Sequence, residues 1–168
     1  MSSILIKMSK AIDSLIDRLG RSISWLTTIL MVIICLDVIM RYLFNQSENW
    51  IVELEWHLFA MIFLVGASYT LLHDKHVRVD LFYEKFSPRK KDLVNFFGIL
   101  LFLIPWTIVV IYYGWDYTAN SFSFREESSQ SNGLPARYII KSFIVIGFGL
   151  LFLQGVSGLI KHSIKTEQ

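Results

Sequence analysis

Four long apolar blocks restrict what this chain can fold into more than any other feature. They cover residues 24–44, 52–72, 93–115 and 136–160. Each is close to the roughly 20 residues that a helix needs to cross the hydrocarbon core of a bilayer. Only helices and closed barrels can cross lipid, and barrel strands would alternate apolar and polar residues instead. The blocks therefore predict an all-α integral membrane protein with four transmembrane helices in a single membrane domain, 1–168.

The segment before the first block, residues 4–20, has a different pattern. Its apolar residues recur at helical spacing, and charged residues fill the positions between them. This pattern predicts an amphipathic helix that lies in the membrane interface, and a soluble helix packed on a partner is the alternative. Gly20 offers a bend before the first span. The apolar positions are Leu5, Met8, Ile12, Leu15, Ile16 and Leu19.

Lysine and arginine residues alternate between the segments that flank the blocks. The N-terminal arm carries 4, the loop 45–51 carries none, the loop 73–92 carries 6, the loop 116–135 carries 1 and the tail carries 2. Because basic residues are retained preferentially on the cytoplasmic side, this alternation predicts that both termini are cytoplasmic. The loops 45–51 and 116–135 then lie outside. The formal net charge of +2 is too small to suggest a nucleic-acid partner.

The stretch HDKHVRVD follows the second block and packs histidines, acids and bases together. His73 and His76 are three residues apart, but a metal site would need further ligands that are held rigidly. A juxtamembrane turn whose charges meet water and lipid headgroups is the favoured interpretation. The only cysteine, Cys35, lies inside the first block and cannot form an intrachain disulfide. No catalytic, substrate-binding or metal-binding residue is predicted, and no cofactor is expected.

Six charged residues lie within or at the ends of the blocks, toward the predicted outer leaflet. Charges at such positions are costly and need partners. They sum to three acids and three bases, which predicts a structural ionic cluster that fixes the packing of spans one, two and four; a proton or ion relay is the alternative. Gln154, deep in the fourth block, is predicted to donate a hydrogen bond between helices. The six residues are Asp37, Arg41, Glu53, Glu55, Arg137 and Lys141.

Three sequence runs carry a family resemblance when they are taken in order: DVIMRYLFNQSENWIVELEW, FLVGASYTLLHDKHVRVDL and REESSQSNGLPARYIIKSFIVIGFGLLFLQ. They resemble the small membrane subunits of tripartite ATP-independent periplasmic (TRAP) transporters, the DctQ-like and SiaQ-like proteins. The family-motif turn of the second run holds His76, Arg78 and Asp80. One departure is Val145, at a place where the family often has a proline.

The resemblance implies a function in transport and not in catalysis. TRAP transporters are secondary importers driven by an ion gradient, usually of sodium, and they take up organic acids across the bacterial cytoplasmic (inner) membrane. Overall similarity leans toward sialic acid as the substrate. The small subunit is expected to be a scaffold for a large, elevator-type membrane subunit.

The resemblance also implies two protein partners, the large multi-spanning subunit and, transiently, a periplasmic substrate-binding protein. The outer loops are then the surfaces expected to help receive the binding protein. The candidate contact residues are Glu48, Asn49, Arg125, Glu126 and Glu127.

Two other interpretations belong to different functional classes. A membrane cytochrome would need histidines that face each other within spans, whereas only His57 lies near a span end. A stand-alone exporter that acts as a homodimer would need a free acid in the membrane, and Arg41 is placed to neutralise Asp37, the one candidate.

Overall fold

The computed structural model describes residues 2–75, 83 and 86–166, and within this range it is helical without strands. Its helices are α1 (Ser2–Leu43), α2 (Asn49–Leu72), α3 (Pro88–Gly98), α4 (Ile104–Ser123) and α5 (Tyr138–Thr166). A π-helical segment, Ile99–Leu103, joins α3 to α4, so that Pro88–Ser123 forms one long helical rod.

Among the described residues, 4 helices are long and apolar enough to cross a membrane, and the predicted fold class is therefore confirmed. The four apolar blocks fall on α1, α2, the α3–α4 rod and α5. The orientation across the membrane and the interfacial position of residues 4–20 stay predictions. The predicted turn of His76, Arg78 and Asp80 lies outside the described residues.

Helix α1 continues through Gly20, where the sequence suggested a bend. Its 42 residues give a length of about 63 Å at 1.5 Å per residue, roughly twice the thickness of a hydrocarbon core. Gly20 is buried, and a Cβ atom there would lie 2.1 Å from Cδ2 of Tyr69 on α2. The glycine thus lets α1 approach α2 closely and does not interrupt the helix.

Helix α5 lies at the centre of the bundle and packs against α1, α2 and the α3–α4 rod. Ile140, Leu150 and Leu151 on α5 are among the few large apolar side chains that are buried. Most others point outward; Phe102 is 75% exposed and Phe63 is 66% exposed. In a bilayer these outward side chains meet lipid tails, which are as apolar as they are.

The π-helical segment ends at Leu103, two residues before Pro105. Proline has no backbone N–H to donate, and its ring collides with the carbonyl four residues earlier in a regular α-helix. A π turn shifts the hydrogen bonding by one residue, and such bulges are a recognised cause of helix bends. At the start of the rod, Ser87 is the N-cap and Pro88 occupies the first turn, as the Ser-Pro pair predicts.

The last connection is shorter than the polar segment 116–135 suggested. Helix α4 runs to Ser123, about two turns past residue 115, so the loop covers residues 124–137. Arg125, Asn132 and Ala136 in this loop have positive φ angles of 47°, 57° and 62°. The loop is therefore a folded, sharply turning segment and not an extended tether.

Gly147 provides a test of how closely α5 packs on α2. A Cβ atom at Gly147 would lie 2.8 Å from the backbone oxygen of Leu64, whereas a Cβ at Gly149 would meet nothing within 4 Å. We expect Gly147→Ala to lower the free energy of unfolding by about 1–3 kcal/mol, because backbone atoms must move apart. Gly149→Ala should stabilise the helix by about 0.5–1 kcal/mol.

The measurement is an unfolding titration of the full-length chain in mixed micelles, followed by tryptophan fluorescence. Equal shifts for the two variants would contradict the close approach of α5 and α2 at Gly147.

Candidate functional site

The carboxylate of Glu53 is a buried group near the start of α2 that accepts several hydrogen bonds. Glu53 lies in the second turn of α2, and its side chain is only 5% exposed. It accepts hydrogen bonds from Nη2 of Arg137 at 2.9 Å, from the backbone N–H of Leu134 at 2.6 Å and from the hydroxyl of Ser128. Three donors, one of them charged, offset much of the cost of burying this carboxylate.

These contacts tie the loop 124–137 to α2 and to the start of α5. Arg137 also donates from Nη2 to the hydroxyl oxygen of Ser128 at 3.3 Å, and its backbone N–H donates to the carbonyl oxygen of Glu126 at 2.9 Å. The side-chain amide of Asn49 donates to the carbonyl oxygen of Ser131 at 2.8 Å. The loop is therefore part of the bundle's rigid end.

Lys141, one turn after Arg137, makes a separate contact with the same loop. Its ammonium group pairs with the carboxylate of Glu126 and lies 3.9 Å from the ring centroid of Tyr117 on α4. The hydrogen bond from Lys141 lowers the pKa of the Glu126 carboxyl below its usual value. A cation over an aromatic ring and beside a carboxylate links the end of α4, the loop and α5.

The predicted residues of α1 form a third group, together with Glu55 on α2. Asp37 is 3% exposed and pairs with Arg41, one turn further along the same helix. Glu55 is close enough to interact electrostatically with both residues. Among the described residues, Oδ1 of Asp37 and Oε1 of Glu55 are buried without a hydrogen-bond partner.

The six charged residues thus lie at one end of the bundle in three groups. The first is Glu53 with Arg137, the second is built around Lys141, and the third is built around Asp37.

The candidate contact residues of the loops separate into exposed residues and residues that make internal bonds. Glu48, Arg125 and Glu127 are exposed, whereas Asn49 and Glu126 are engaged in the internal bonds described above.

A second polar network lies at the opposite end, between α1 and α5. One oxygen of Asp13, Oδ1, accepts a hydrogen bond from the hydroxyl of Ser157 at 2.8 Å and a longer one from Nε2 of Gln154 at 3.4 Å. Its other oxygen lies 2.6 Å from Nζ of Lys161. The hydroxyl groups of Ser9 and Ser157 are 2.7 Å apart and buried. The prediction that Gln154 donates between helices is confirmed.

Sequence reasoning missed the Asp13 network, although a signal for it exists. Gln154, Ser157 and Lys161 recur at a spacing of three and four residues, and Ser9 and Asp13 are four apart. Such spacing places polar residues on one face of each helix. Because residues 4–20 were predicted to lie in the membrane interface, this polar face was not matched with its partner on α5.

Among the described histidines, His73 and His162 each lie beside an acid, and His57 bonds a backbone carbonyl. Nε2 of His73 lies 3.5 Å from the Asp17 carboxylate, and Nδ1 of His162 lies 2.8 Å from Asp92. The buried ring of His57 donates through Nδ1 to the carbonyl oxygen of Glu53 in its own helix. In the described part of the chain, no three His, Cys, Asp or Glu side chains are grouped as metal ligands would be.

The chain also matches a known protein family. Residues 30–163 match the family described as "Tripartite ATP-independent periplasmic transporters, DctQ component". The chain belongs to this family. It is a membrane component of a TRAP transporter, the small permease subunit, and the resemblance found in the sequence is confirmed.

A curated relative agrees with this membership. The chain is similar to the C4-dicarboxylate TRAP transporter small permease protein DctQ of Vibrio cholerae serotype O1 (strain ATCC 39315 / El Tor Inaba N16961), with 32% identity over 81 residues. The match covers 48% of this chain and 34% of the relative, so the chain spans about a third of that protein's length.

The part of the chain that matches the DctQ family contains the whole Glu53 network. Glu53, Ser128, Leu134 and Arg137 all lie within residues 30–163. Asp13, in contrast, precedes the first matched residue. The contacts around Glu53 thus lie within the region that matches the family, and the Asp13 network joins the N-terminal half of α1 to this region.

The Glu53 network can be tested with two glutamates that lie on either side of the start of α2. Glu53→Gln removes a buried negative charge and leaves Arg137 without its carboxylate, and we expect a loss of about 3–5 kcal/mol in the free energy of unfolding. Glu48→Gln is the matched control, because Glu48 is exposed and makes no capping bond. Unfolding of the full-length chain in mixed micelles measures both. A Glu53→Gln variant as stable as Glu48→Gln would contradict the role of the network.

The Asp13 network predicts a local effect. Asp13→Ala removes the acceptor of three donors on α5, and hydrogen bonds to charged groups contribute about 1.5–3 kcal/mol each. Amide hydrogen exchange in residues 9–20 should become about tenfold faster or more, since 1.4 kcal/mol corresponds to a factor of ten. Ser14→Ala is the control at an adjacent exposed position. Unchanged exchange in Asp13→Ala would show that apolar packing alone holds this half of α1.

Proposed function

We propose that this chain is the fixed scaffold subunit of a TRAP importer in the bacterial inner membrane. The importer uses an ion gradient, most simply of sodium, to take up an organic acid by symport. The chain braces the large, elevator-type subunit, and its outer loops help receive the periplasmic substrate-binding protein. The observation that carries the proposal is that buried polar contacts tie α5 to its neighbours at both ends.

Polar contacts at both ends of α5 are more consistent with a subunit that keeps one arrangement than with a domain that moves during transport. Lipid tails are as apolar as leucine side chains, so helices in a bilayer gain little hydrophobic energy from packing together. Polar contacts and close approach therefore decide whether they hold a fixed arrangement. Glu53 connects one end of α5 to α2, Asp13 connects the other end to α1, and Gly147 brings the middle against Leu64. A bundle held in this way resists the sliding that a substrate-carrying domain needs.

The outer surface of the bundle supports a membrane partner. Large apolar side chains cover α1, α4 and the exposed face of α2, and many are more than half exposed. Such surfaces can be covered by lipid or by the helices of a larger membrane subunit. We assign the large TRAP subunit to part of this surface, because the family is one component of a tripartite system.

The loops at the Glu53 end are the proposed contact with the binding protein. Exposed Glu48, Arg125 and Glu127 present charges of both signs on a rigid loop platform. The predicted orientation places this platform outside the cytoplasm. The similarity to the Vibrio cholerae relative, a C4-dicarboxylate TRAP transporter component, supports an organic acid as the substrate class. Sialic acid is the substrate toward which overall similarity leans.

Co-purification with the large subunit and uptake in proteoliposomes test the proposal together. A C-terminally tagged chain, expressed with its neighbouring genes, should elute with a multi-spanning polypeptide. Glu53→Gln should lower both the yield of the complex and uptake. A triple variant with alanine at Glu48, Arg125 and Glu127 should leave the yield intact and lower uptake at limiting binding protein, by about tenfold if the lost rim contacts sum to about 1.4 kcal/mol.

The same preparation distinguishes the TRAP importer from a stand-alone exporter. Uptake of sialic acid and of a C4-dicarboxylate is measured with and without a sodium gradient. A chain that elutes alone or as a homodimer, and that transports by itself, would contradict the scaffold role and favour the exporter. Uptake that needs neither a gradient nor the binding protein would contradict the importer mechanism.

A further inference from the structure

A lateral groove opens between α2 and the α3–α4 rod. Both pack against α5, but within the described helices they do not pack closely against each other. The groove has a volume of about 1400 Å³, and α5 contributes to its wall through Gln154 and Gly158. This volume exceeds the roughly 300–1,000 Å³ of sites that take drug-sized ligands.

The lining of the groove changes character along its length. One part is apolar and aromatic, with Phe102 and Trp106 from the rod beside Leu72 of α2. The other part is polar and lies where α2 ends and α3 begins; it contains Asp74, Lys91, Asp92, Lys161 and His162. In a bilayer, the apolar part matches the lipid tails and the polar part matches the headgroup region.

Gly98 keeps the apolar part of the groove open. It is the last residue of α3 before the π-helical segment, and a Cβ atom there would meet nothing within 4 Å. The free space next to Gly98 is therefore part of the groove itself and is not filled by a neighbouring helix.

The basic groups at the polar end differ in whether they face a carboxylate. Nζ of Lys161 is 2.6 Å from Asp13, and Nδ1 of His162 is 2.8 Å from Asp92, so each faces a carboxylate. The ammonium group of Lys91 lies 5.3 Å from the ring centroid of Tyr83, and no ion pair with a carboxylate is found for it among the described residues. Lys91 is thus a positive charge on the groove's rim that can accept an anionic group.

We propose that this groove binds a glycerophospholipid. Its acyl chains lie between α2 and the rod, and its phosphate faces Lys91. A groove that opens sideways at this depth is filled from the bilayer, and basic pockets between membrane helices are known to hold lipid headgroups. A membrane phospholipid carries both the apolar chains and the phosphate that this lining matches. The inference does not depend on the proposed transport function.

The test uses photo-crosslinking in vesicles of phosphatidylethanolamine that contain a diazirine-bearing phosphatidylethanolamine. The full-length chain is reconstituted, with its large subunit where the two co-purify, and labelled peptides are mapped by mass spectrometry. We expect labels concentrated on Phe102, Trp106 and Leu72. A lysine near the membrane surface contributes about 1 kcal/mol, so that Lys91→Gln should reduce this labelling about fivefold.

Two matched controls distinguish labelling within the groove from labelling of the lipid-facing surface in general. Lys90→Gln makes the same charge change one residue away at an exposed position outside the groove. Gly98→Leu should fill the groove and abolish labelling, whereas Gly66→Leu adds the same side chain at another open glycine that does not line it. If Gly98→Leu fails to fold, Lys91→Gln against Lys90→Gln still decides.

Three results would overturn the proposal. The first is labelling spread evenly over all lipid-facing helices and unchanged by both variants, which would mean that only bulk lipid was labelled. The second is an equal loss of labelling in Lys90→Gln and Lys91→Gln, which would assign the effect to the surface charge in general and not to the groove. The third is crosslinking of the groove to the large subunit, which would mean that a protein helix fills it.

Discussion

The buried carboxylate of Glu53 is the interaction on which the architecture of the DctQ-like bundle most depends. Removing a carboxylate from water costs several kcal/mol, and a partner charge repays this only when further hydrogen bonds complete the site. Arg137, Ser128 and the backbone of Leu134 meet that condition here. The same contacts fix where the loop 124–137 lies and where α5 begins. Because α5 begins at this fixed point, its position along α2 is also set. The close approach of Gly147 to Leu64 is one consequence.

The two polar networks act on the same helix from opposite ends. Near Glu53, α5 is joined to α2 and the loop, and near Asp13 it is joined to α1. One connection would leave α5 free to tilt about it, because apolar contacts in lipid give little directional preference. Two connections about twenty residues apart, a distance of about 30 Å along a helix, remove that freedom. The position of α5 thus depends more on where the polar residues lie than on a large apolar core.

The sequence was sufficient to predict the four membrane helices, since each needs only a long apolar block. It also singled out Glu53 and Arg137, because charges inside such blocks are rare. The sequence did not show that the six charged residues separate into three groups. The pairing of Asp37 with Arg41 follows from their spacing within one helix, but the pairing of Glu53 with Arg137 depends on how two helices are rotated about their axes. The spacing of residues within one helix does not encode that rotation.

The structure differs from the sequence prediction at two helix ends, and the two differences have a common physical cause. A bend at Gly20 and a loop that starts at residue 116 were both placed where the polarity of the sequence changes, but polarity reports the surroundings of a residue and not its backbone conformation. Helix α1 continues through Gly20, because the glycine packs against Tyr69 and both neighbouring segments favour helix. Helix α4 continues to Ser123 past the apolar block, and no proline interrupts it before Phe124. Helices can therefore extend beyond the hydrocarbon core at either end. The polar extensions carry Asp13 and Tyr117, the residues that complete the contacts with α5.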